Sequence, residues 1–183
     1  MKAGQAAKAL LLSFVVLVGA GEAAWAASAE KINRRVSQAL TAFREEVKGS
    51  QALLDRAVGV LVFPSVKKAG IGIGGEYGEG ALLVGGKTVA YYSTAAASIG
   101  FQLGAQARTQ ILLFMEQRAL DRFRDSDGWE AGVDGSIAVI TLGAGGAIDT
   151  TATNEPIIAF IFNNKGLMYN LSLEGSKFTE IER

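Results

Sequence analysis

Between Gly59 and Tyr92 the sequence reads GVLVFPSVKKAGIGIGGEYGEGALLVGGKTVAYY, with nine glycines from Gly59 to Gly86. No helix survives glycine at that density, because each one costs about 1 kcal/mol relative to alanine in a helix interior. The residues between the glycines, Val60, Leu61, Val62, Phe63, Ile71 and Ile73 among them, prefer strands. This block must build a sheet, and the rest of the chain must cover it.

Ahead of the block, Ile32, Val36, Ala39, Leu40, Phe43 and Val47 recur at helical spacing within Ser28–Lys48. They fall within an arc of roughly 100°, the width of a face that docks on a core. Lys31, Arg34, Arg35, Arg44 and Lys48 lie outside that arc. Gly49 and Ser50 mark a stop and a new cap, so a second short helix is expected from Gln51 to about Val58.

Gly59–Phe63 reads as a buried strand closed by Pro64. Leu82–Val84 and Thr88–Tyr92 flank Gly85-Gly86, which suits a tight hairpin turn. Further strands are expected at Ala96–Leu103 and Thr109–Met115, and a short helix over Glu116–Arg124 with Leu120 and Phe123 inward, ended by Asp125-Ser126-Asp127-Gly128. Ser136–Leu142, Ala147–Thr151, Ile157–Phe162 and Leu167–Leu173 complete the strand candidates, with Asn163-Asn164-Lys165-Gly166 as a hairpin turn. Many strands with helices gathered at the front give an α+β class: a curled antiparallel sheet or barrel-like β core with N-terminal helices packed on it.

The first residues have the form of a secretory signal peptide: Lys2 and Lys8, an apolar run from Ala9 to Val18, then small residues ending Ala24-Trp25-Ala26. Cleavage is expected after Ala26, leaving one domain over 27–183, with a helical lead at 27–58 and a β-rich remainder at 59–183. The expected destination is the periplasm or the exterior, with peripheral attachment to a membrane. Removing residues 1–26 takes two basic and one acidic side chain from 18 of each, leaving 16 against 17. A formal charge of −1 supplies no global field for nucleic acid. The chain has no histidine and no cysteine, which excludes disulfides, Ser-His and Cys-His nucleophile pairs and histidine-based zinc sites.

Motifs for small-molecule chemistry are weak. Gly70-x-Gly72-x-x-Gly75 matches a dinucleotide fingerprint, but no helix opens at its third glycine. Ala81–Thr88 is a relaxed phosphate-loop pattern whose apolar Leu82–Val84 replaces the bare backbone such a loop needs. Asp125-Ser126-Asp127-Gly128 opens like a calcium loop, yet Ser136 stands where the bidentate glutamate belongs. Glu76 and Glu79, set among glycines, read as solvated charges. An outer-membrane barrel is disfavoured because Val60–Phe63 and Ile157–Phe162 are apolar on both faces. No cofactor, metal, nucleotide or nucleic acid is expected, and no enzyme activity.

Four separated segments carry a family resemblance: Phe63–Gly70 (FPSVKKAG), Gly74–Gly80 (GGEYGEG), Gly100–Gln106 (GFQLGAQ) and Tyr169–Ser176 (YNLSLEGS). In this order they resemble the SYLF domain family, over most of Ser50–Ile181. That resemblance implies a lipid-binding module: eukaryotic members bind phosphoinositides and other acidic phospholipids, and fungal members also bind and bundle actin. It places headgroup contact on Lys67 and Lys68, in the matching basic-turn motif. An exported protein meets neither actin nor, ordinarily, phosphoinositides, so anionic bacterial phospholipid at a membrane surface is the expected partner. The alternative is an envelope structural or protein-interaction domain that shares the fold without the lipid activity.

Overall fold

A computed structural model describes residues 28–141, 155–166, 173 and 175–183. Two compact units divide the chain, Met1–Lys31 with Arg183 and Ile32–Glu182. Of the first, residues 28–31 are helical; the second holds the architecture described below. The signal-peptide segment and the expected strand at Ala147–Thr151 lie outside the described residues, as does nearly all of Leu167–Leu173.

Three helices and six strands are present among the described residues. In chain order they are α1 (28–46), α2 (Ser50–Arg56), β1 (Gly59–Val84), β2 (Lys87–Phe114), α3 (Gln117–Arg124), β3 (Trp129–Glu130), β4 (Ala138–Thr141), β5 (Ile157–Gly166) and β6 (Lys177–Ile181). The sheet is a curled half-barrel with the N-terminal helices packed against it, the α+β class expected. β2 is its spine. It pairs with β1 along almost its whole length, and its other edge takes β6 at Tyr91–Ala95 and β5 at Gln106–Phe114.

From Gly59 to Val84 the glycine block is thus one strand, not several. Pro64 does not close it: β1 runs through Pro64-Ser65 by a register shift between Phe63 and Val66. A proline needs no ladder hydrogen bond at a bulge, so the strand tolerates it there. Ala96–Leu103 and Thr109–Met115 are likewise parts of a single strand, β2. Asn163–Gly166 is not a hairpin turn but the end of β5, where Asn163 takes φ 55 opposite a second register shift at Ala107/Thr109. Gly85-Gly86 is the expected tight turn, at φ 57 and 76. One pair departs from the antiparallel expectation: β4 runs parallel to β5. Residues 142–156 separate the two strands, a connection long enough for the crossover a parallel pair requires.

A hairpin of this length cannot stay flat without exposing both faces. Instead it curls until its distal part lies on its base. A Cβ on Gly78 would sit 2.8 Å from Val66 Cγ2 and 3.0 Å from the Ser65 carbonyl oxygen. One on Gly80 would run into the Val62 carbonyl oxygen and lie 2.8 Å from Phe63 Cδ1. Only glycine allows backbone to approach so closely.

Strand alternation distributes the apolar residues between two cores. Leu61, Phe63, Leu112, Phe114, Ile157, Ala159 and Ile161 face the concave side, where α3 adds Leu120 and Phe123. The Phe123 ring packs 5.0 Å from both Tyr92 and Phe114 and 5.7 Å from Trp129. Val62, Ile111, Leu113, Ile158, Phe160 and Phe162 face the other way and receive Ile32, Val36, Ala39, Phe43 and Val47 of α1. Phe43 meets Phe160 edge-on at 4.9 Å. Burying the larger of these side chains contributes about 1.5–3 kcal/mol each, so the apolar face of α1 is committed to the sheet.

If the curl depends on close backbone approach, Gly80→Ala should lower the unfolding free energy in urea by about 1–3 kcal/mol. Gly75→Ala, whose Cβ would meet only the Ala96 carbonyl at 3.9 Å, should change it by less than about 0.5 kcal/mol.

Candidate functional site

The two faces of the curled sheet are chemically different beyond the cores, and the difference separates the two lysines singled out in the sequence. Lys67 and Lys68 are successive residues of β1, so they point to opposite faces. Lys67 is exposed; Lys68 is 8% exposed, on the concave side with Val66. They do not form one patch, and they are not on a turn.

On the concave face, Lys68 lies opposite Gln106 and Val66 opposite Arg108. The Arg108 guanidinium is buried and donates from Nη2 to both oxygens of the buried Glu76 carboxylate, at 2.9 and 3.0 Å. The Gln110 amide oxygen, assigned toward Arg108, accepts from Nη2 and Nε at 2.9 Å each. Ser176 Oγ makes a longer contact of 3.5 Å to Glu76. Burial pulls the Arg108 guanidinium below its usual pKa, and the charge of Glu76 opposes that pull. Glu76 is therefore not a solvated charge. The curl carries it from its place between Gly75 and Tyr77 onto Arg108, 32 residues away. A signal for this cluster existed in Gln106, Arg108 and Gln110, polar residues at alternate positions that lead into Leu112 and Phe114 on the same face.

At the sheet's other end, Tyr92 donates to Glu180 Oε2 at 3.2 Å. Burial pushes the phenol pKa up to about 12, the neighbouring Glu180 carboxylate adds to the rise, and Arg124 draws it partly back.

The convex face carries Lys67 and Lys165, both exposed. Lys67 is opposite Ala107 on β2, and Ala107 is opposite Lys165 on β5, so the two lysines stand in one row across three strands. At one strand spacing per step their Cα atoms are roughly 10 Å apart. Beside this row, an open cleft of about 240 Å³ lies between α1 and the sheet, lined by Arg35, Gln38, Ala39 and Ala42 from the helix and by Pro64, Ser65, Thr109 and Asn163 from three adjacent strands. Among the described residues, no carboxylate lines it. Thr109 donates its hydroxyl to the Pro64 carbonyl at 3.2 Å, tying the β2 irregularity to the β1 bulge. Among the described residues, Arg35, Lys67 and Lys165 take part in no salt bridge.

The C-terminal part of the chain carries the family relationship. Residues 95–183 match the family model described as Ysc84, Las17-binding protein actin regulator. That match agrees with the SYLF resemblance of the sequence segments. The matched residues hold most of β2, all of β3 to β6, and Arg108, Thr109, Asn163 and Lys165. They begin beyond the Phe63–Gly70 and Gly74–Gly80 segments, so Lys67 and Lys68 lie outside them. No curated protein matches the chain.

Neither dinucleotide nor phosphate-loop geometry is built here: Gly70, Gly72 and Gly75 lie within β1, and Ala81–Thr88 is the tip of the β1–β2 hairpin. Asp125–Gly128 ends α3.

Two outcomes test these electrostatics. Removing one member of a buried pair costs about 3–5 kcal/mol, so Glu76→Ala should destabilise by that order, and Glu76→Met with Arg108→Met should lose much less. Tyr92 holds its proton more tightly folded than unfolded, where it titrates near 10.0. Its contribution to stability is therefore intact below about pH 10 and lost as pH rises toward about 12. Tyrosinate absorbance should show a late component near pH 12 that Tyr92→Phe removes.

Proposed function

We propose that this chain is a non-enzymatic, exported protein of the bacterial envelope that binds anionic phospholipid headgroups at a membrane surface. The family whose model residues 95–183 match is known for actin and lipid binding, and it is not known for enzymes. The observation that carries the lipid reading is the row of Lys67 and Lys165 on the convex face, beside a cleft lined by Arg35 and, among the described residues, by no carboxylate. Such a face concentrates positive charge on a chain with no net charge, and cations near an anionic bilayer contribute about 1 kcal/mol each.

Lys67 keeps the headgroup role expected of it. Lys68, on the concave side, gives that role to Lys165. The apolar face of α1 is occupied by the sheet, so attraction to the membrane is electrostatic and peripheral rather than insertive. Among the described residues, no helix is long and apolar enough to cross a membrane.

Co-sedimentation with vesicles of phosphatidylglycerol in phosphatidylcholine tests the reading. Binding should rise with the anionic fraction and weaken between low and physiological salt, as screening shortens the reach of exposed charge. Lys67→Gln with Lys165→Gln should weaken it by about 30-fold at low salt, the equivalent of two such cations. Equal binding to neutral vesicles, or an unaffected double variant, would count against it. Absence of vesicle binding would favour the protein-interaction reading.

A further inference from the structure

The cleft beside the lysine row is made by two neighbouring backbone irregularities, the second of which holds a strained residue. β1 departs from its ladder at Pro64-Ser65, β2 departs from β5 between Ala107 and Thr109, and Asn163 takes φ 55. Asn163 is the only residue other than glycine with positive φ among the described residues. That conformation costs an L-residue on the order of 1 kcal/mol or more, and bulges leave residues outside the ladder. Two such bulges on adjacent strand pairs lie side by side under α1, where the cleft opens. Ala39 and Ala42, the helix residues above the opening, are small and leave the space unfilled.

We propose that this cleft is a phosphate-binding site, a reading that rests on the lipid-binding function above and supplies its specific contact. The Arg35 guanidinium is the cation of the site, and the Gln38 amide, Ser65 hydroxyl and Asn163 amide supply neutral donors from three separate elements. Thr109 is a positioning residue, because its hydroxyl proton is already directed at Pro64. Donors converging from a helix and two strands suit a tetrahedral anion with several free oxygens better than a planar carboxylate. Arginine is the side chain that matches phosphate oxygens in a bidentate manner. Lys67 and Lys165 flank the opening and raise the local concentration of anions. The shared chemistry is a phosphate ester, whose source is either a lipid headgroup or a soluble molecule.

The full chain, its Arg35→Gln and Asn163→Gly variants and an Arg34→Gln control would be titrated with glycerol 3-phosphate by calorimetry. The same four proteins would be co-sedimented with phosphatidylglycerol-containing vesicles. Glycine keeps the positive φ of position 163 while removing its amide, and Arg34 is an exposed neighbour outside the cleft. Arg35→Gln should weaken glycerol 3-phosphate binding by roughly tenfold or more, Asn163→Gly by less, and Arg34→Gln not at all. A parallel loss of vesicle binding identifies the headgroup as the source; loss of the soluble ester alone identifies a free phosphate ester. If the unaltered chain binds vesicles and Arg35→Gln leaves both measurements unchanged, the cleft assignment is wrong and the lipid reading stands. If the chain binds glycerol 3-phosphate in an Arg35-dependent way but no vesicle, the lipid reading fails and the cleft stands. Binding to neither overturns both.

Discussion

Everything in this fold depends on one close approach of backbone to backbone. The distal half of the β1–β2 hairpin rests on its own base because Gly78 and Gly80 present no Cβ to Ser65, Val66 and the Val62 carbonyl. A hairpin of this length would otherwise be a long ribbon with two unsatisfied faces. The curl turns one face inward, creating the concave core around Phe63 and Phe123. It also leaves the outer face of the base free for α1.

The same curl explains the buried ion pair. Glu76 lies in a glycine-rich stretch near the middle of β1, and Arg108 lies on the base of β2; only the folding of the ribbon onto itself joins them. Charges taken out of water are costly unless paired and hydrogen-bonded, and here Gln110 and, at longer range, Ser176 add contacts to the pair. A misfolded hairpin with the wrong curvature would strand both charges, so the pair favours one geometry over its neighbours. It belongs to the architecture, on the face that solvent does not reach.

The surface proposed for binding lies on the opposite face. The apolar stripe of α1 is consumed by the sheet, and what remains outward is polar helix surface, the lysine row and the cleft formed where three strands lose register together. Bulges that relieve strain in a curved sheet also expose backbone and re-aim side chains. In this domain the feature that lets the sheet bend and the feature that opens a polar cleft are one and the same.

Local pattern was sufficient for a good part of this. Helical spacing from Ile32 to Val47 located α1 and its buried face, Gly85-Gly86 located the hairpin tip, Leu120 and Phe123 located α3, and the unbroken apolar run Ile157–Phe162 announced a strand buried on both sides. These are short-range consequences of side-chain period and backbone freedom. Strand lengths were not legible, because Pro64-Ser65 and Asn163-Asn164 look like turns until a partner strand absorbs them as bulges. Nor could adjacent lysines be sorted by sequence: alternation puts Lys67 and Lys68 on opposite faces, and the curl decides which face is inside. The pairing of Glu76 with Arg108, the row from Lys67 to Lys165 and the cleft under Arg35 join residues far apart in the chain. They exist only once a long ribbon has folded back on itself. Local pattern supplies the material of a curled sheet with helices on it; long-range folding sets which charges are buried and which meet solvent, because that depends on the direction of curvature and not on any local pattern.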